Sequence, residues 1–219
     1  MTQPELAEAL RGLSCTDLSD ALDRLGIAGQ ATGIMPLDRR FQLVGEAWTV
    51  RYGPVGTDGG TVGDYIDDVG AGHVVVLDNS GRCDATVWGD LLTSTAHLRG
   101  VAGVAIDGVS RDLDRAIETG FPVFSRGTWM RTGKDRVRVE AVQEPVVLGG
   151  VRVMPGDWLR GDADGVVVVP ARRVGDIVAA AEEIRRAEDK IRCAIAGGTP
   201  LRQARADLAY HSLQTRRAG

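Results

Sequence analysis

Residues 88–112 read WGDLLTSTAHLRGVAGVAIDGVSRD, and this stretch decides the fold. The pattern predicts a helix that starts near Asp90, a return loop, and a strand over 101–107 whose continuous apolar run suits burial on both faces. Because the helix and the strand span similar lengths, the chain returns to the edge of the sheet that it left. Asp90 and the pair Arg111–Asp112 are therefore expected at one edge of an α/β layer.

The rest of the sequence predicts a mixed β-sheet flanked by helices. The clearest strand is HVVVLDNSG (73–81), a β-branched run that we expect to end at Gly81. Residues 136–170 show period-two stretches and paired glycines, which are typical of antiparallel or mixed β-structure. A long amphipathic helix is predicted over 171–195. Further predicted elements are helices over 4–12, 14–26, 61–69, 111–120 and 199–213, and strands over 41–53 and 121–127.

Length and composition indicate one ordinary globular domain over residues 1–219. The chain is 43% hydrophobic and 26% charged, with a formal net charge of −4. No basic stripe with interleaved aromatic residues is present, so we expect no nucleic-acid partner. No apolar run reaches the ~18 residues that span a membrane, and the first residues do not form a signal peptide. We therefore expect a cytoplasmic protein.

The expected sheet edge carries two carboxylates and a guanidinium, which suit a divalent cation and an anionic keto acid. The first turn of the predicted helix presents free backbone N–H groups, so the amides of Leu91 and Leu92 could hold a carboxylate. An aspartate such as Asp112 suits a hard cation such as Mg2+, and the adjacent Arg111 can bind a keto-acid oxygen. A plain structural role also fits, with Asp90 as a helix cap and the Arg–Asp pair as a surface ion pair.

The stretch resembles the class II pyruvate aldolases that cleave 4-hydroxy-4-methyl-2-oxoglutarate and 4-carboxy-4-hydroxy-2-oxoadipate. These enzymes share a fold with the regulator of ribonuclease activity A. The family signature is an aspartate, twenty residues, then Arg-Asp, and Asp90 with Arg111–Asp112 matches that spacing. The resemblance covers residues 14–195 and leaves 196–219 as a C-terminal helical extension. The matching motifs are TDLSDALDRLG, WGDLL, GVAGVAIDGVSRD and PGDWLRGDADGVVVVP.

The resemblance implies both a fold and an activity. The fold is a single α/β domain, a layered β/β/α mixed sheet of the swivelling-domain type, flanked by helices and with a long C-terminal helix. The activity is a lyase dependent on Mg2+ or Mn2+ that cleaves 4-hydroxy-2-oxo acids to pyruvate through an enolate and also decarboxylates oxaloacetate. The resemblance further implies a small 2-oxo acid as substrate, and a homotrimer or homohexamer whose active sites lie between subunits.

The resemblance also implies catalytic roles for the three signature residues. Asp112 resembles the direct metal ligand of the family. Arg111 resembles the residue that contacts the substrate carbonyl and steadies the enolate. Asp90 resembles the carboxylate that orients a water for proton transfer.

Substrate-binding roles are implied in the same way. Gly89 and the amides of Leu91 and Leu92 resemble the cradle for the pyruvate carboxylate. In the family, an acidic residue from a neighbouring subunit's late helix can approach the site. Glu188 is the candidate match, and three acidic residues of the same helix compete with it: Glu182, Glu183 and Asp189.

The acidic loop before the 73–81 strand has two possible roles. Asp64, together with Gly59 and Gly60, is expected either to line the distal end of the pocket or to belong to a loop that caps the helix at 64–69. Arg126 likewise could bind a second substrate carboxylate or form a structural salt bridge.

The remaining reactive residues give weak signals. Neither Lys134 nor Lys190 is expected in the site, since a metal-dependent lyase needs no Schiff-base lysine. The cysteines are odd in number and widely spaced, so neither a disulfide framework nor a metal-binding pair is expected. The scattered histidines do not indicate a zinc site.

Three other functions compete with the lyase. A non-catalytic regulator that binds a ribonuclease fits the same fold, but such relatives generally lack the first aspartate of the signature, which is present here as Asp90. A lyase with a different specialised substrate is favoured by the unusual loop GPVGTDGGTVGDYIDD (53–68). An adenosyl-dependent methyltransferase has no support, since no Gly-rich loop follows an early strand in the required way.

Overall fold

The structure is a computed structural model that describes residues 2–56 and 62–208. Its contacts group the chain into two compact units. The larger unit is Gln30–Ala171, and the smaller one combines Met1–Gly29 with Arg172–Gly219. The division expected from the sequence, one domain over 1–219 with a C-terminal extension, stays a prediction.

Helices and strands alternate only from β4 to β6 in the described part of the chain, and helices stand at both of its ends. The helices are α1 (Gln3–Arg11), α2 (Cys15–Leu25), α3 (Asp90–Leu98), α4 (Leu113–Thr119), α5 (Val174–Ala196) and α6 (Leu201–Asp207). The strands are β1 (Gln30–Ala31), β2 (Met35–Pro36), β3 (Leu43–Pro54), β4 (His73–Thr86), β5 (Gly103–Val109), β6 (Val123–Ser125), β7 (Val137–Val142), β8 (Val146–Leu148), β9 (Val151–Val153), β10 (Trp158–Asp162) and β11 (Gly165–Val169). The mixed α/β fold with a long C-terminal helix is therefore confirmed.

The larger unit is built on one mixed sheet. Its strand order is β1-β11-β10-β3-β4-β5-β6-β2, and β7 also pairs with β3, while β8 and β9 form a separate hairpin. The central strands β3 to β6 run parallel to one another. The apolar run Val74–Leu77 in β4 is fully buried, and every residue of β5 is buried, as expected for strands covered on both faces.

Strand β4 is longer than the sequence predicts. The predicted end at Gly81 reflects a real local feature, because Ser80 and Gly81 adopt left-handed backbone conformations with φ of 54° and 68°. Pairing with β5 nevertheless resumes beyond them, at Arg82 and Thr86, with register shifts on either side of Arg82. The turn residues therefore produce an irregularity inside the strand, and β4 continues to Thr86.

The helices of the larger unit connect parallel strands. α3 joins β4 to β5, and α4 joins β5 to β6. α4 ends at Gly120, whose left-handed φ of 67° is the helix stop that the sequence predicts. The helix predicted over 61–69 is a shorter 3-10 helix, Asp64–Asp68, which follows β3. These connections bring the ends of α3, β5 and the 3-10 helix to the region described below.

The smaller unit is helical over its described residues. Ser14 begins α2 with a reciprocal capping box, in which its hydroxyl accepts from the Asp17 N–H and the Asp17 carboxylate accepts from the Ser14 N–H. α2 packs against α5, where the buried Arg24 donates to both carboxylate oxygens of Glu183, at 3.0 and 3.1 Å. Within the described residues, no helix combines the length and apolar character that crossing a membrane requires.

Candidate functional site

Asp90 and the pair Arg111–Asp112 meet at one end of the sheet. Asp90 is the first residue of α3, and Arg111–Asp112 link β5 to α4. Oδ2 of Asp112 accepts a hydrogen bond from the backbone N–H of Asp90 at 3.1 Å and lies 3.3 Å from Nε of Arg111. The helix and the strand thus return the chain to the same edge, and the three residues come into contact.

Asp112 has an unusual backbone for a residue with a side chain. Its φ of 58° and ψ of 45° lie in the left-handed region, which costs a non-glycine residue about 1 kcal/mol. The conformation turns the chain from β5 into α4, and the Asp112 carbonyl accepts from the Arg115 N–H at 3.2 Å. Within the described residues, Oδ1 of Asp112 has no hydrogen-bond partner, and the side chain is 38% exposed. The carboxylate is therefore held on one oxygen and open on the other.

Gly89 permits this contact by having no side chain. A Cβ built on Gly89 would lie 2.7 Å from Oδ2 of Asp112 and 3.3 Å from Nε of Arg111. Its φ of −156° is open to any residue, so the requirement for glycine is one of space and not of backbone conformation. The substrate-binding role predicted for Gly89 is untested, and its observed role is to let the Asp112 carboxylate approach α3.

The first turn of α3 offers unused backbone donors. The N–H groups of Leu91 and Leu92 have no backbone acceptor in the part of the chain that the structure describes, as is usual at a helix start. The N-terminus of this nine-residue helix also carries a partial positive charge. Both features favour a carboxylate beside these amides. The Leu91 side chain is 78% exposed, so the turn is accessible.

Arg111 is anchored through its backbone and open at its guanidinium. Its N–H donates to the Trp88 carbonyl at 3.0 Å. Trp88 is itself fixed, because its ring stacks on Phe121 at 5.9 Å and its Nε1 donates to Thr93 at 2.9 Å. The two terminal nitrogens of Arg111 form no ion pair with a described residue, so they can bind an anion in fork geometry.

A cleft of about 510 Å³ opens beside these residues. Asp90, Leu92 and Arg111 line it, and so does Lys134. The expectation that neither lysine lies in the site is therefore wrong for Lys134. It reaches the cleft because Thr132, two residues earlier, pairs with Thr86 at the end of β4. This pairing joins segments far apart in sequence, and nothing in the local pattern signalled it.

A second hollow of about 320 Å³ also borders Arg111. Arg111, Asp112, Thr128 and the apolar pair Trp129–Met130 line it. Trp129 is 43% exposed and Met130 is 72% exposed, in contrast to the buried Trp88 and Trp158. Arg111 thus lines both hollows, and Asp112 lines the smaller one.

The 3-10 helix and the residues before it form another part of the cleft wall. Asp64 and Asp67 line the cleft, whereas Gly59 and Gly60 lie outside the described residues. The wall is tied to the sheet by Tyr52 of β3, whose hydroxyl donates to the Val62 carbonyl at 2.5 Å and contacts the Tyr65 hydroxyl at 3.2 Å. Burial raises the pKa of both tyrosines, and the proximity of Tyr65 raises the pKa of Tyr52 further.

A different pair of carboxylates lies buried within the parallel strands β4 and β5. Asp107 of β5 accepts from Nε of Arg126 at 2.5 Å and from the Gly149 N–H at 2.9 Å. Asp78 of β4, its register partner, accepts from the N–H groups of Ser80 and Val147, each at 2.9 Å. Arg126 therefore forms a structural salt bridge, which was one of its two possible roles.

The chemistry of the donors fits a divalent cation bound largely by water and substrate. Among the described residues, no group of three or more His, Cys, Asp or Glu side chains could enclose a metal ion. Mg2+ is commonly held by one or two carboxylates with several waters and substrate oxygens, so a complete protein cage is unnecessary. The open oxygen of Asp112 is the donor that the site offers.

Glu188 belongs to α5 in the smaller unit. Its Oε2 accepts from Nη2 of Arg192, four residues later on the same helix, at 2.7 Å. The role predicted for Glu188 at a neighbouring subunit's site stays a prediction, as does that of its competitors on α5.

The sheet topology and the contact between Asp90 and Arg111–Asp112 define a protein of the aldolase/RraA type. Residues 15–168 match the family described as RraA-like: Aldolase/RraA. This match covers more than half of the chain, and the chain therefore belongs to that family.

Two relatives with similar sequences differ in name and in length. DlpA from Legionella pneumophila is 40% identical over 212 residues, covering 95% of this chain but 34% of DlpA. The chain thus spans about a third of that relative's length. A protein from Halalkalibacterium halodurans named "Putative 4-hydroxy-4-methyl-2-oxoglutarate aldolase" is 33% identical over 194 residues, covering 88% of this chain and 90% of the relative.

Solved structures share the fold. An uncharacterized protein from Pseudomonas syringae pv. tomato has a TM-score of 0.86 and 42% identity, covering 92% of this chain and 97% of that one. Streptomyces coelicolor RraAS2, described as an unusual member of the RNase ES inhibitor RraA protein family, has a TM-score of 0.80 and 30% identity, covering 86% and 97% of the two chains. The family thus includes proteins named for enzymatic and for inhibitory functions.

Proposed function

We propose that this protein is a divalent-metal-dependent lyase that cleaves 4-hydroxy-2-oxo acids to pyruvate and also decarboxylates oxaloacetate. The observation that carries the proposal is the contact of the Asp112 carboxylate with both the start of α3 and Arg111. It gathers a carboxylate oxygen and free helix amides around the open guanidinium of Arg111, which lines both hollows. The name of the Halalkalibacterium relative supports the same reaction class.

The resident cation is proposed to be Mg2+ or Mn2+, with Asp112 as its protein ligand. The contacts of Oδ2 orient the carboxylate and leave Oδ1 free for a cation. When bound, the cation supplies Lewis acidity to the 2-oxo group of the substrate. Its remaining ligands would be water and substrate oxygens, as is usual for these hard cations.

The substrate's reacting end matches the donors around Arg111. The C1 carboxylate is proposed to accept from the N–H groups of Leu91 and Leu92 at the positive end of α3. The Arg111 guanidinium donates to the adjacent 2-oxo oxygen, where negative charge develops as the reaction proceeds. Because Nε of Arg111 lies 3.3 Å from Oδ2 of Asp112, the ion pair helps to orient the guanidinium before the substrate arrives.

Carbon–carbon cleavage follows from these positions. The C4 hydroxyl loses its proton to a water that the Asp90 carboxylate orients, and the C4–O bond becomes a carbonyl. The C3–C4 bond breaks, and its electron pair moves onto C3 and the 2-oxo oxygen as the pyruvate enolate. The same water then returns a proton to C3, which gives the methyl group of pyruvate. Oxaloacetate loses carbon dioxide to yield the same enolate.

Pyruvate release tests this proposal directly. Purified protein is incubated with 4-hydroxy-4-methyl-2-oxoglutarate or with oxaloacetate, after chelation and again after adding back Mg2+ or Mn2+. We expect release only with a metal present, measured by coupled reduction of pyruvate with a nicotinamide cofactor. No metal-dependent release from a panel of such acids would contradict the proposal.

The family resemblance also supports a homotrimer or homohexamer in which Glu188 of one subunit assists the site of another. Native mass spectrometry tests the assembly. If Glu188 acts in this way, Glu188→Gln lowers the rate of proton transfer and leaves the native mass unchanged. Glu182→Gln on the same helix is the matched control.

A ribonuclease-binding regulator is the second candidate function, and its support is the likeness to RraAS2. The two candidates separate in one pair of measurements on the same sample. Metal-dependent pyruvate release without ribonuclease binding supports the lyase. Ribonuclease binding and inhibition without lyase activity supports the regulator.

A further inference from the structure

We propose that Lys134 determines substrate choice by binding one further carboxylate of the substrate, and that Asp64 and Asp67 disfavour a second one. The preferred substrate class is then a 4-hydroxy-2-oxo acid with two carboxylates in all. This inference rests on the proposed lyase function, and it concerns the end of the cleft that does not react.

The charges along the cleft divide into two sets. The described lining residues include two cations, Arg111 and Lys134, and three carboxylates, Asp64, Asp67 and Asp90. Arg111 and Asp90 are assigned to the reacting end by their contact with Asp112. The remaining charged lining residues are one cation and two carboxylates, and the proposal assigns them to the distal part of the substrate.

Lys134 is available to bind an anion. Its residue is exposed, and its ammonium forms no ion pair with any described residue. The turn that carries it is fixed, since the Lys134 N–H donates to Thr132 Oγ1 at 3.2 Å and its carbonyl accepts from Arg136 at 3.1 Å. A fixed turn with a free, flexible ammonium is suited to a carboxylate at the end of a small substrate.

Asp64 and Asp67 give the distal end its selectivity. Both are exposed and lack an ion-pair partner within the described residues. Arg99, at the end of α3, donates to the Asp67 and Val69 backbone carbonyls, so it fixes the wall without neutralising the carboxylates. A third substrate carboxylate would meet like charge here, which is how binding sites reject close analogues.

The expected change in substrate affinity follows from the proposed hydrogen bond between Lys134 and the substrate carboxylate. A hydrogen bond between an ammonium and a carboxylate in a partly open cleft changes binding by about ten- to a hundredfold. Asp64 and Asp67 act through space from an exposed wall, so each contributes a smaller factor, roughly two- to tenfold.

The test compares two substrates and one exchange reaction. 4-Hydroxy-4-methyl-2-oxoglutarate has two carboxylates, and 4-carboxy-4-hydroxy-2-oxoadipate has three. Exchange of the pyruvate methyl protons in D2O, followed by NMR, reports on the reacting end alone because pyruvate has no distal group. The variants are Lys134→Gln, Lys134→Arg and Asp64→Asn/Asp67→Asn. Lys190→Gln, which changes the other lysine of the chain, is the matched control.

The proposal expects a distinct pattern. Wild-type protein prefers the two-carboxylate substrate, and Lys134→Gln raises its KM at least tenfold while affecting methyl exchange far less. Lys134→Arg restores most of the loss, and the Asp64→Asn/Asp67→Asn variant gains activity on the three-carboxylate substrate. Equal losses in cleavage and exchange with Lys134→Gln, or a wild-type preference for three carboxylates, would overturn it.

A binding measurement separates this inference from the lyase proposal. Acetylation of Lys134 is followed by mass spectrometry, with Lys190 as the internal reference. 2-Oxoglutarate, which has a second carboxylate but no 4-hydroxyl group, is expected to protect Lys134, whereas pyruvate is not. Protection without turnover contradicts the lyase alone, and turnover without protection contradicts the role of Lys134.

Discussion

Two acidic regions, one within the parallel strands β4 and β5 and one just after them, differ in how far their carboxylates are satisfied. Asp78 and Asp107 are buried, and both oxygens of each carboxylate have hydrogen-bond partners. Asp90 and Asp112 are exposed, and Asp112 leaves one oxygen open. Fully satisfied carboxylates hold a fold together, whereas a carboxylate held on one oxygen and open on the other can bind a cation or a ligand.

The largest expected effect is the loss of activity in Asp112→Asn. Asparagine also tolerates the left-handed backbone, so the fold is kept while the proposed cation ligand loses its charge. We expect kcat/KM to fall by about a thousandfold or more and the response to added Mg2+ to disappear. Steady-state kinetics and the unfolding midpoint check this.

Asp114→Asn, two residues later on α4, is the control for charge at this helix start. It should keep nearly full activity. A fully active Asp112→Asn variant would show that Asp112 is not part of the active site.

Asp107→Ala should give the opposite result, a large loss of stability. Removing this buried carboxylate leaves Arg126 and the Gly149 N–H without their partner. The free energy of unfolding should fall by about 2–3 kcal/mol, toward the low end for broken buried pairs because Arg126 is partly exposed. Urea unfolding measures it.

Asp107→Asn refines this measurement because asparagine can still accept a hydrogen bond. It should therefore lower the free energy of unfolding less than Asp107→Ala does. An unchanged midpoint for both variants would show that this buried pair contributes no stability.

Gly89→Ala tests the space beside the open carboxylate. The added Cβ would lie 2.7 Å from Asp112 Oδ2, so the carboxylate must move away from α3. We expect kcat/KM to fall by roughly ten- to a hundredfold, with a change in unfolding free energy below about 1 kcal/mol. Kinetics with a titration of Mg2+ distinguishes displaced ligand geometry from lost folding.

Gly56→Ala provides the comparison, since a Cβ there meets no atom of the described residues within 4 Å. Equal activity of the two alanine variants would contradict the steric role of Gly89.

The smallest expected effect concerns the tyrosines that hold the cleft wall. Their pKa values are raised in the folded protein because burial disfavours the charged phenolate. Stability from Tyr52 and Tyr65 is therefore complete below the ordinary pKa near 10 and is lost as the pH rises above it. The raised pKa of each tyrosine should lower the free energy of unfolding by about 1 kcal/mol at one pH unit above the ordinary pKa.

Unfolding at pH 8 and pH 11 measures this slope. Tyr52→Phe should make the alkaline loss of stability shallower than in the wild-type protein. An identical slope in the two proteins would contradict the assignment to Tyr52.

Local sequence predicted much of this arrangement. Local sequence patterns predict three features because each depends on near neighbours in the chain. These are the capping residues around α2, the stop at Gly120 and the return of residues 88–112. The spacing between Asp90 and Arg111 set two elements of similar length, and the structure brings their ends together.

The missed features depend on pairing between distant segments. Lys134 enters the cleft because Thr132 pairs with Thr86, and β4 continues past Gly81 because β5 offers further partners at Gly108 and Val109. Whether Asp107 or Asp112 is buried also depends on such partners, since both are aspartates close to the same strand. A one-dimensional pattern does not contain that information.

Because the backbone of Asp112 is left-handed, stability and activity favour different residues at this position. A glycine there would relax the turn and make the folded chain harder to unfold, while removing the charge on which the proposed chemistry depends. Selection for thermal robustness alone, for instance in a screen without a turnover readout, would therefore enrich Asp112→Gly. Stabilised variants of this protein should be sorted by activity at every round.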